Sequence, residues 1–271
     1  MRVLPRQPVG AARTGGFFDA GRRLRHHRLP AFPLAKPGEA SLMMTNLLDR
    51  PAWSSLTSVH APLSIGDELA RRYQPQVNRF ASARDDSPAA LAALAALLQP
   101  AEQVFILQVP EIAIPAGLVP VKLARGVQMV APSPVAPPPP GEDILALHDE
   151  DADEMLALAT LTEPGPFLRQ THRMGSFFGI RVDGRLVAMA GERFRFAGCT
   201  ELSGVCTHPD FRGHGFAGRL SRHVAAAIAA RGETAFLHAW KNNVAAISLY
   251  RTLGFTLRCE VNVAVLERRD G

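Results

Sequence analysis

The order of elements predicted for the second half of the chain constrains its fold most strongly. Turn signals at Asp183-Gly184 and Ala197-Gly198 divide residues 177–207 into three short strands. A helix is predicted over 215–230, because apolar side chains recur there at every fourth position. A strand, a second helix and a last strand follow. A meander that leads into alternating helices and strands predicts an α/β protein of the α+β type, with a mixed, mostly antiparallel sheet and helices on both faces.

The same half begins with a strand over 144–147 and a helix over 150–162. Pro164 and Pro166 end that helix, because proline cannot continue the backbone hydrogen-bond ladder. A second short helix is predicted over 167–174.

A proline run at Pro132–Pro140 predicts a boundary in the middle of the chain, since six of its nine residues are proline. Such a run favours extended polyproline II geometry and acts as a semi-rigid linker. We therefore expect one domain over 44–131 and another over 141–271.

The segment 44–131 predicts a small α/β domain of unknown role. Ser87 and Pro88 are a typical N-cap and first-turn pair for a helix over 89–98. Strands are predicted over 104–109 and 119–123. Nothing in this segment identifies its chemistry.

The positive charge of the chain is concentrated at its beginning. The formal net charge is +5, yet residues 1–41 alone carry eight basic and two acidic side chains, which leaves the remainder at −1. We expect residues 1–43 to be a basic, disordered extension, because they are rich in glycine and proline and lack an amphipathic period. A nucleic-acid-binding arm, an arginine-rich transit peptide, and a true start at Met43 or Met44 stay open as alternatives.

Composition excludes several classes of protein. Hydrophobic residues make up 47% and charged residues 20% of the chain, as in ordinary globular proteins. No apolar run approaches about 18 residues, so no membrane span is expected. The three cysteines form no C-x-x-C pair, which favours buried thiols in a reducing cytoplasm over a disulfide framework.

The segment from Val205 to Ala217 joins a predicted strand to a predicted helix and has the pattern Arg212-x-x-Gly215-x-Ala217. Gly213 and Gly215 allow close approach of the backbone. The first amides of the helix have no intrahelical partner, and the helix dipole adds positive potential. The pattern predicts an anion site of a size that suits a pyrophosphate.

A second block, Asn243-Val-Ala-Ala-Ile-Ser-Leu-Tyr250-Arg-Thr-Leu-Gly254-Phe255, follows about thirty residues later. Asn243 and Tyr250 are seven residues apart, so they face the same side of one helix. The two blocks together resemble the GNAT superfamily, the Gcn5-related N-acyltransferases, in motif, order and separation. The resemblance covers residues 143–267 and implies a GNAT-like fold there.

The resemblance assigns roles to individual residues. It implies that acetyl-CoA, or another short acyl-CoA, is bound as co-substrate. The pyrophosphate would be held by the backbone amides of Arg212, Gly213, His214, Gly215, Phe216 and Ala217. The backbone of Val205, Cys206 and Thr207 would pair with the pantetheine arm, and Asn243 would hydrogen-bond the same arm. Tyr250 would lie near the thioester sulfur as a proton donor.

The general base is less sharply defined. Glu201 occupies a position where many family members have a glutamate, and Glu192, His208 and His238 compete with it. His208, Asp210 and His214 also resemble metal ligands, but the phosphate site already explains that loop, so no metal is expected.

The expected function is transfer of an acetyl group from acetyl-CoA to a primary amine by direct attack in a ternary complex. A catalytically silent acyl-CoA-binding sensor or scaffold is the alternative. A nucleic-acid-binding protein rests on the basic extension alone. The expected partner is a small-molecule or peptide amine, without nucleic acid or membrane, and a homodimer stays open. By analogy with the family, the loop 163–174 would border the acceptor cleft. It contains Arg169 and Arg173, which favour an amine that carries a carboxylate.

Overall fold

The computed structural model describes residues 47–139 and 144–269. The expected extension over 1–43 lies outside the described residues. So do Pro140 and the first residues after it, where the linker was expected to end.

The described chain has two sheets and five α-helices, with strands and helices numbered in chain order, and residues 47–49 are helical as well. The small sheet has the order β1-β2-β3, with strands Ser64–Gly66, Ala70–Tyr73 and Ala81–Ala83. The large sheet has the order β4-β11-β5-β10-β9-β8-β7-β6. Its strands are β4 (Gln103–Gln108), β5 (Leu118–Val130), β6 (Ile144–Leu147), β7 (Phe177–Val182), β8 (Arg185–Phe196), β9 (Cys199–Thr207), β10 (Thr234–Trp240) and β11 (Thr256–Arg268). The helices are α1 (Pro51–Leu56), α2 (Pro88–Ala96), α3 (Ala152–Thr162), α4 (Phe216–Ala230) and α5 (Val244–Thr252).

The large sheet confirms the expected fold class. Its neighbouring strands β9 and β10 are parallel, and every other neighbouring pair in it is antiparallel. The sheet is therefore mixed and mostly antiparallel.

Helices cover both faces of this sheet. On β8, Ala188 and Ala190 belong to the core beneath α4 and α5, whereas Met189 packs into the core beneath α3. Successive side chains of a strand point to opposite faces, so α3 lies opposite α4 and α5. Of the apolar stripe predicted from the four-residue spacing in α4, Leu220, Val224 and Ile228 are fully buried and Phe216 is half-buried.

The expected separation of 44–131 from 141–271 is corrected by the strand order. β5 lies between β10 and β11 and hydrogen-bonds to both. The two halves of the described chain share one sheet and belong to one compact unit. The proline run does not divide two cores, since Val135 within it is buried in the core beneath α4. Periodicity predicted β4 and the first part of β5, but it missed β1, β2 and β3 and could not indicate the partners of any strand.

Local signals predicted some other elements and missed α1, which no pattern had indicated. Ser87 caps α2, its hydroxyl accepting a hydrogen bond of 3.3 Å from the Ala90 amide. The short helix expected over 167–174 is only a 3₁₀ turn at Thr171–Met174. All three cysteines lie in strands, two of them buried and Cys259 half-buried. In the described ranges, no helix is both long enough and apolar enough to cross a bilayer.

Candidate functional site

An opening between β9 and β10 is the central feature of the site. The two parallel strands pair only from Cys199–Glu201 to Thr234–Phe236. Beyond that point β10 pairs with β5 on its other side, and within the described chain no strand occupies the edge of β9 that faces β10. Gly204, at φ +63°, lies in a bulge where the register between β8 and β9 shifts. The second half of β9 therefore presents unpaired backbone groups to an opening in the sheet.

The end of β9 fits an extended, amide-bearing arm. The hydroxyl oxygen of Thr207 is buried and finds no hydrogen-bond partner among the described residues. A buried hydroxyl without a partner is unfavourable, so this atom is suited to a ligand group. Val205 and Thr207 are half-buried along the opening, whereas the Cys206 side chain turns to the opposite side, beneath α3. Burial raises the pKa of the Cys206 thiol to about 11, which disfavours a covalent role for this cysteine.

The loop after β9 leads to the N-terminus of α4. Gly213 and Gly215 have φ of +84° and +75°, and Gly215 is the N-cap residue. A Cβ at either position would meet no atom within 4 Å, so it is the backbone conformation that requires glycine here. α4 has no side-chain cap and no acidic residue in its first turn. Arg212, Gly213, His214 and Gly215 are exposed, and Phe216 and Ala217 are half-buried. The helix N-terminus thus keeps its positive potential open to an anion.

Asn243 and Tyr250 are both on or beside α5, as their spacing predicted. Asn243 is the exposed N-cap residue, and its Oδ1 accepts a hydrogen bond of 3.1 Å from the Ala246 amide. Its Nδ2 therefore remains the group that can donate to a ligand. Tyr250 is 8% exposed and belongs to the same buried cluster as Leu202 and Leu237. Glu201 is the last residue of β9 that pairs with β10, and it is close enough for its charge to act on the Tyr250 hydroxyl, so Tyr250 lies near the inner end of the opening.

The Tyr250 hydroxyl carries its proton at neutral pH. Burial, followed by the negative charge of Glu201, raises the pKa of Tyr250 to about 12. No described residue forms a hydrogen bond with the hydroxyl. The group is a protonated donor without a protein acceptor.

Glu201 is fully buried and is bound by Arg193, by His238 and by the backbone amide of Phe194. Arg193 donates to its carboxylate through Nε at 2.8 Å and through Nη2 at 2.5 Å, and His238 Nδ1 lies 2.7 Å from Oε1. Burial opposes ionisation, but the charge of Arg193 and the hydrogen bonds from Arg193 and His238 outweigh it and lower the pKa of Glu201 to about 2. A carboxylate so strongly stabilised is a weak proton acceptor.

His238 is neutral in this network. Gln128 accepts from Arg258 through Oε1 at 2.9 Å and directs Nε2 at His238 Nε2, also at 2.9 Å. The histidine Nε2 must then be an acceptor, which leaves the proton on Nδ1 for Glu201. Burial, the largest influence, lowers the pKa of His238 and keeps the ring uncharged.

The other candidates for the base are engaged in the same way. Glu192 is 1% exposed and pairs with Arg231 at 2.8 Å. His208 Nε2 lies 2.6 Å from Arg185 Nη2, and its Nδ1 accepts from the Asp210 amide at 3.2 Å. Across the described ranges, no group of three or more His, Cys, Asp or Glu side chains could hold a metal ion.

The loop between α3 and β7 borders a small cavity beside the bulge of β9. The cavity is lined by Pro164, Gly165, Pro166, Phe167, Thr171, Phe177, Arg193, Ser203 and Gly204. The two arginines expected to define the acceptor are not among these residues. Arg169 pairs with Asp153 at 3.3 Å, and Arg173 donates to Gln170. The arginine that lines the cavity, Arg193, comes from β8 and was not singled out from the sequence.

A larger depression of about 500 Å³ lies where β10 ends, at the same end of the sheet as Thr207. Lys122, Arg125 and Lys241 line it together with Trp240, and the Lys122 ammonium lies 4.9 Å from the centroid of the Trp240 ring. Lys241 is paired with Glu260. The lining residues at the end of β10 directly precede Asn243 in the chain. The basic side chains of the depression add positive potential beside the opening.

Comparison with known proteins identifies the family. The sequence matches the FR47-like protein family over residues 177–264. A crystal structure from Novosphingobium aromaticivorans DSM 12444, assigned to the GNAT family of acetyltransferases, is 42% identical to the chain. It covers 82% of this chain and 99% of its own, with a TM-score of 0.77. The chain belongs to the GNAT family.

More distant GNAT structures share the fold. One from Kribbella flavida has 20% identity and a TM-score of 0.55, covering 83% of this chain and 96% of its own. One from Streptococcus suis 89/1591 has 15% identity and a TM-score of 0.52, covering 84% and 99%. None of the curated proteins compared matches the chain. The Novosphingobium structure matches residues of both halves of the chain. This agrees with the single sheet, in which β5 of the first half lies between β10 and β11 of the second.

Proposed function

We propose that this protein transfers an acetyl group from acetyl-CoA to a primary amine, by direct attack within a ternary complex. The observation that carries the proposal is the opening between β9 and β10. It runs from the uncapped N-terminus of α4 to Tyr250, and its β9 edge is unpaired.

The residues present fit a CoA thioester. The amides from Arg212 to Ala217 would hold the pyrophosphate, with the exposed Arg212 side chain beside it. The backbone of Val205 to Thr207 would pair with the pantetheine arm, and the orphaned Thr207 hydroxyl offers it a further partner. Asn243 Nδ2 would donate to the same arm. Acetyl-CoA supplies the activated acyl group as a thioester.

Tyr250 is proposed as the proton donor for the departing sulfur. Its hydroxyl is protonated at neutral pH, has no protein acceptor and lies at the inner end of the opening. A positioned acid contributes about 10²–10⁴-fold to a reaction of this kind.

Glu201 is proposed to act through its neighbours. With a pKa near 2 it is poorly suited to remove a proton, but it holds Arg193 and His238 in place behind the β9 bulge. The amine would then bind in its unprotonated form, and after attack on the thioester its nitrogen would lose one proton to water. The cytoplasmic location and the amine partner stay predictions.

Binding and turnover of the full chain test the proposal together. Calorimetry with CoA and acetyl-CoA should give a one-to-one complex, and an amine panel should release CoA thiol and acetylated amine in equal amounts. Binding without any transfer would favour the silent acyl-CoA-binding module. Absence of CoA binding by the folded protein would overturn both.

A further inference from the structure

Arg193 has one donor nitrogen that the protein leaves unused. The residue is only 9% exposed, and its guanidinium lies against the rings of Phe80 and Phe194, at 4.7 and 4.8 Å from their centroids. Nε and Nη2 bind Glu201, but Nη1 donates to no described residue. Its hydrogens are therefore available to a ligand oxygen at this position, and a hydrogen bond from a charged guanidinium would stabilise the bound oxygen.

Nη1 faces the small cavity beside the β9 bulge. A Cβ placed on Gly165, which lines the cavity, would be 3.9 Å from Nη1. Ser203 lines the same cavity, and its hydroxyl makes no hydrogen bond to any residue in the described ranges. The cavity has about 10 Å³ of space for a water-sized group, which is room for a single oxygen atom. Two residues with polar groups that have no protein partner thus line a space of one oxygen.

The cavity adjoins the proposed reaction site. Ser203 and Gly204 belong to the part of β9 whose edge opens toward β10. An oxygen bound between Arg193 and Ser203 would therefore hold the rest of a small molecule at the bulge, beside the thioester proposed above.

Charge limits the kind of oxygen. Glu201 already neutralises Arg193, and His238 is uncharged, so the site does not require a negative ligand. It requires a hydrogen-bond acceptor, which either a carboxylate or a peptide carbonyl supplies. Alkylamines, polyamines and lysine side chains carry no such oxygen close to their nitrogen.

We propose that the cavity formed by Arg193 and Ser203 binds a carbonyl or carboxylate oxygen on the carbon attached to the amine-bearing carbon, so that the acceptor is an α-amino carbonyl compound. The source is a free amino acid if the carboxylate is preferred, and a peptide N-terminus if the carbonyl is preferred. This inference deepens the proposed function and rests on it for the identity of the reaction.

Three matched amines test the proposal with the wild-type full chain: L-alanine, L-alaninamide and propan-2-amine. With rates corrected for the fraction of unprotonated amine, alanine or alaninamide should exceed propan-2-amine in kcat/KM by at least tenfold. Equal values for all three would overturn the proposal.

Variants assign the preference to the cavity. Ser203→Ala leaves the Arg193–Glu201 pair intact, and Arg193→Lys keeps a positive charge beside Glu201; each should reduce the preference severalfold or more. Arg195→Lys is the matched control, because Arg195 is on the same strand but pairs with Glu233 outside the cavity. A preference that survives both cavity variants would contradict the assignment.

A binding measurement separates this inference from the proposed function. The thermal shift of the CoA-saturated protein should be larger with alanine or alaninamide than with propan-2-amine, and Ser203→Ala should abolish the difference. If no amine releases CoA thiol, the proposed function fails, and this binding difference still decides the inference. Equal thermal shifts with all three amines would contradict the inference.

Discussion

At the scale of single residues, Tyr250 carries the most specific expectation. Tyr250→Phe removes the hydroxyl and keeps the ring, whose contact with Phe255 has a centroid distance of 6.1 Å. We expect kcat to fall by about 10²–10⁴-fold. Affinity for acetyl-CoA should stay within about threefold, because the proposed contacts to the phosphates and the pantetheine arm remain. Steady-state kinetics with the best acceptor, alongside calorimetry, measure both.

Tyr73 is the matched control, because it is the other tyrosine of the chain and is fully buried elsewhere. Its hydroxyl lies 2.9 Å from His60 Nδ1 and 3.1 Å from Ser55 Oγ. Tyr73→Phe should lower the melting temperature and leave kcat unchanged. A Tyr250→Phe protein with wild-type kcat, where chemistry limits the rate, would make Tyr250 a packing residue.

His60 makes the stability of the fold depend on pH. Burial, the largest influence, lowers the pKa of His60 to about 4, from an ordinary value near 6.5. The unfolded chain therefore binds a proton at this position before the folded protein does. The stabilisation is complete above about pH 6.5 and is lost as the pH falls toward 4, by up to about 3 kcal/mol.

Urea unfolding at pH 7 and pH 5 measures this loss. His60→Gln should be less stable at pH 7 and should show a smaller fall in the free energy of unfolding between the two pH values. His148→Gln, which changes an exposed histidine, should keep the wild-type fall. An unaltered pH dependence in His60→Gln would refute the assignment.

At the scale of elements, the start of α4 is the part of the fold that the proposed CoA site depends on most. Gly215→Val places a β-branched residue at φ +75°, which L residues rarely adopt, and adds bulk where the pyrophosphate would approach. We expect CoA affinity to weaken at least tenfold, which is about 1.4 kcal/mol. Calorimetry with CoA measures the change.

Gly184 provides a control because its φ angle is nearly the same as that of Gly215. It has φ +79° in the turn between β7 and β8, and a Cβ there would also meet no atom within 4 Å. Gly184→Val should therefore impose similar strain and leave CoA affinity unchanged. Equal affinity in both variants would remove the helix N-terminus from the site.

At the scale of the whole molecule, the shared sheet predicts that the second half cannot fold alone. A fragment of residues 141–271 lacks β5, so β10 and β11 would each lose the strand between them. It would also expose core side chains such as Phe236 and Val263, which pack against residues of the first half. We expect no cooperative thermal unfolding of this fragment by circular dichroism.

Deletion of residues 1–41 is the comparison. Because that segment has the composition of an extension, its removal should leave cooperative unfolding and CoA affinity unchanged. A folded, CoA-binding fragment of 141–271 would contradict the structural role of β5.

The sequence alone determined the features that depend on neighbouring residues. The strand and helix order after residue 144, the hairpin at Asp183-Gly184 and the cap at Ser87 are encoded within a few positions each, so periodicity and turn chemistry predicted them. The loop from Arg212 to Ala217 was recognisable for the same reason, since a glycine-rich turn before a helix is a local pattern.

The tertiary structure decided what depends on residues far apart in the chain. β5 lies more than 100 residues before β10, and nothing in either strand indicates that backbone pairing will join them. The base role of Glu201 was predicted from the family resemblance, and its sequence position gives no sign of the guanidinium and imidazole that surround it. Arg193 was overlooked for the same reason: a charged residue within a strand gains its meaning from the buried carboxylate and the cavity on either side, which only packing brings together.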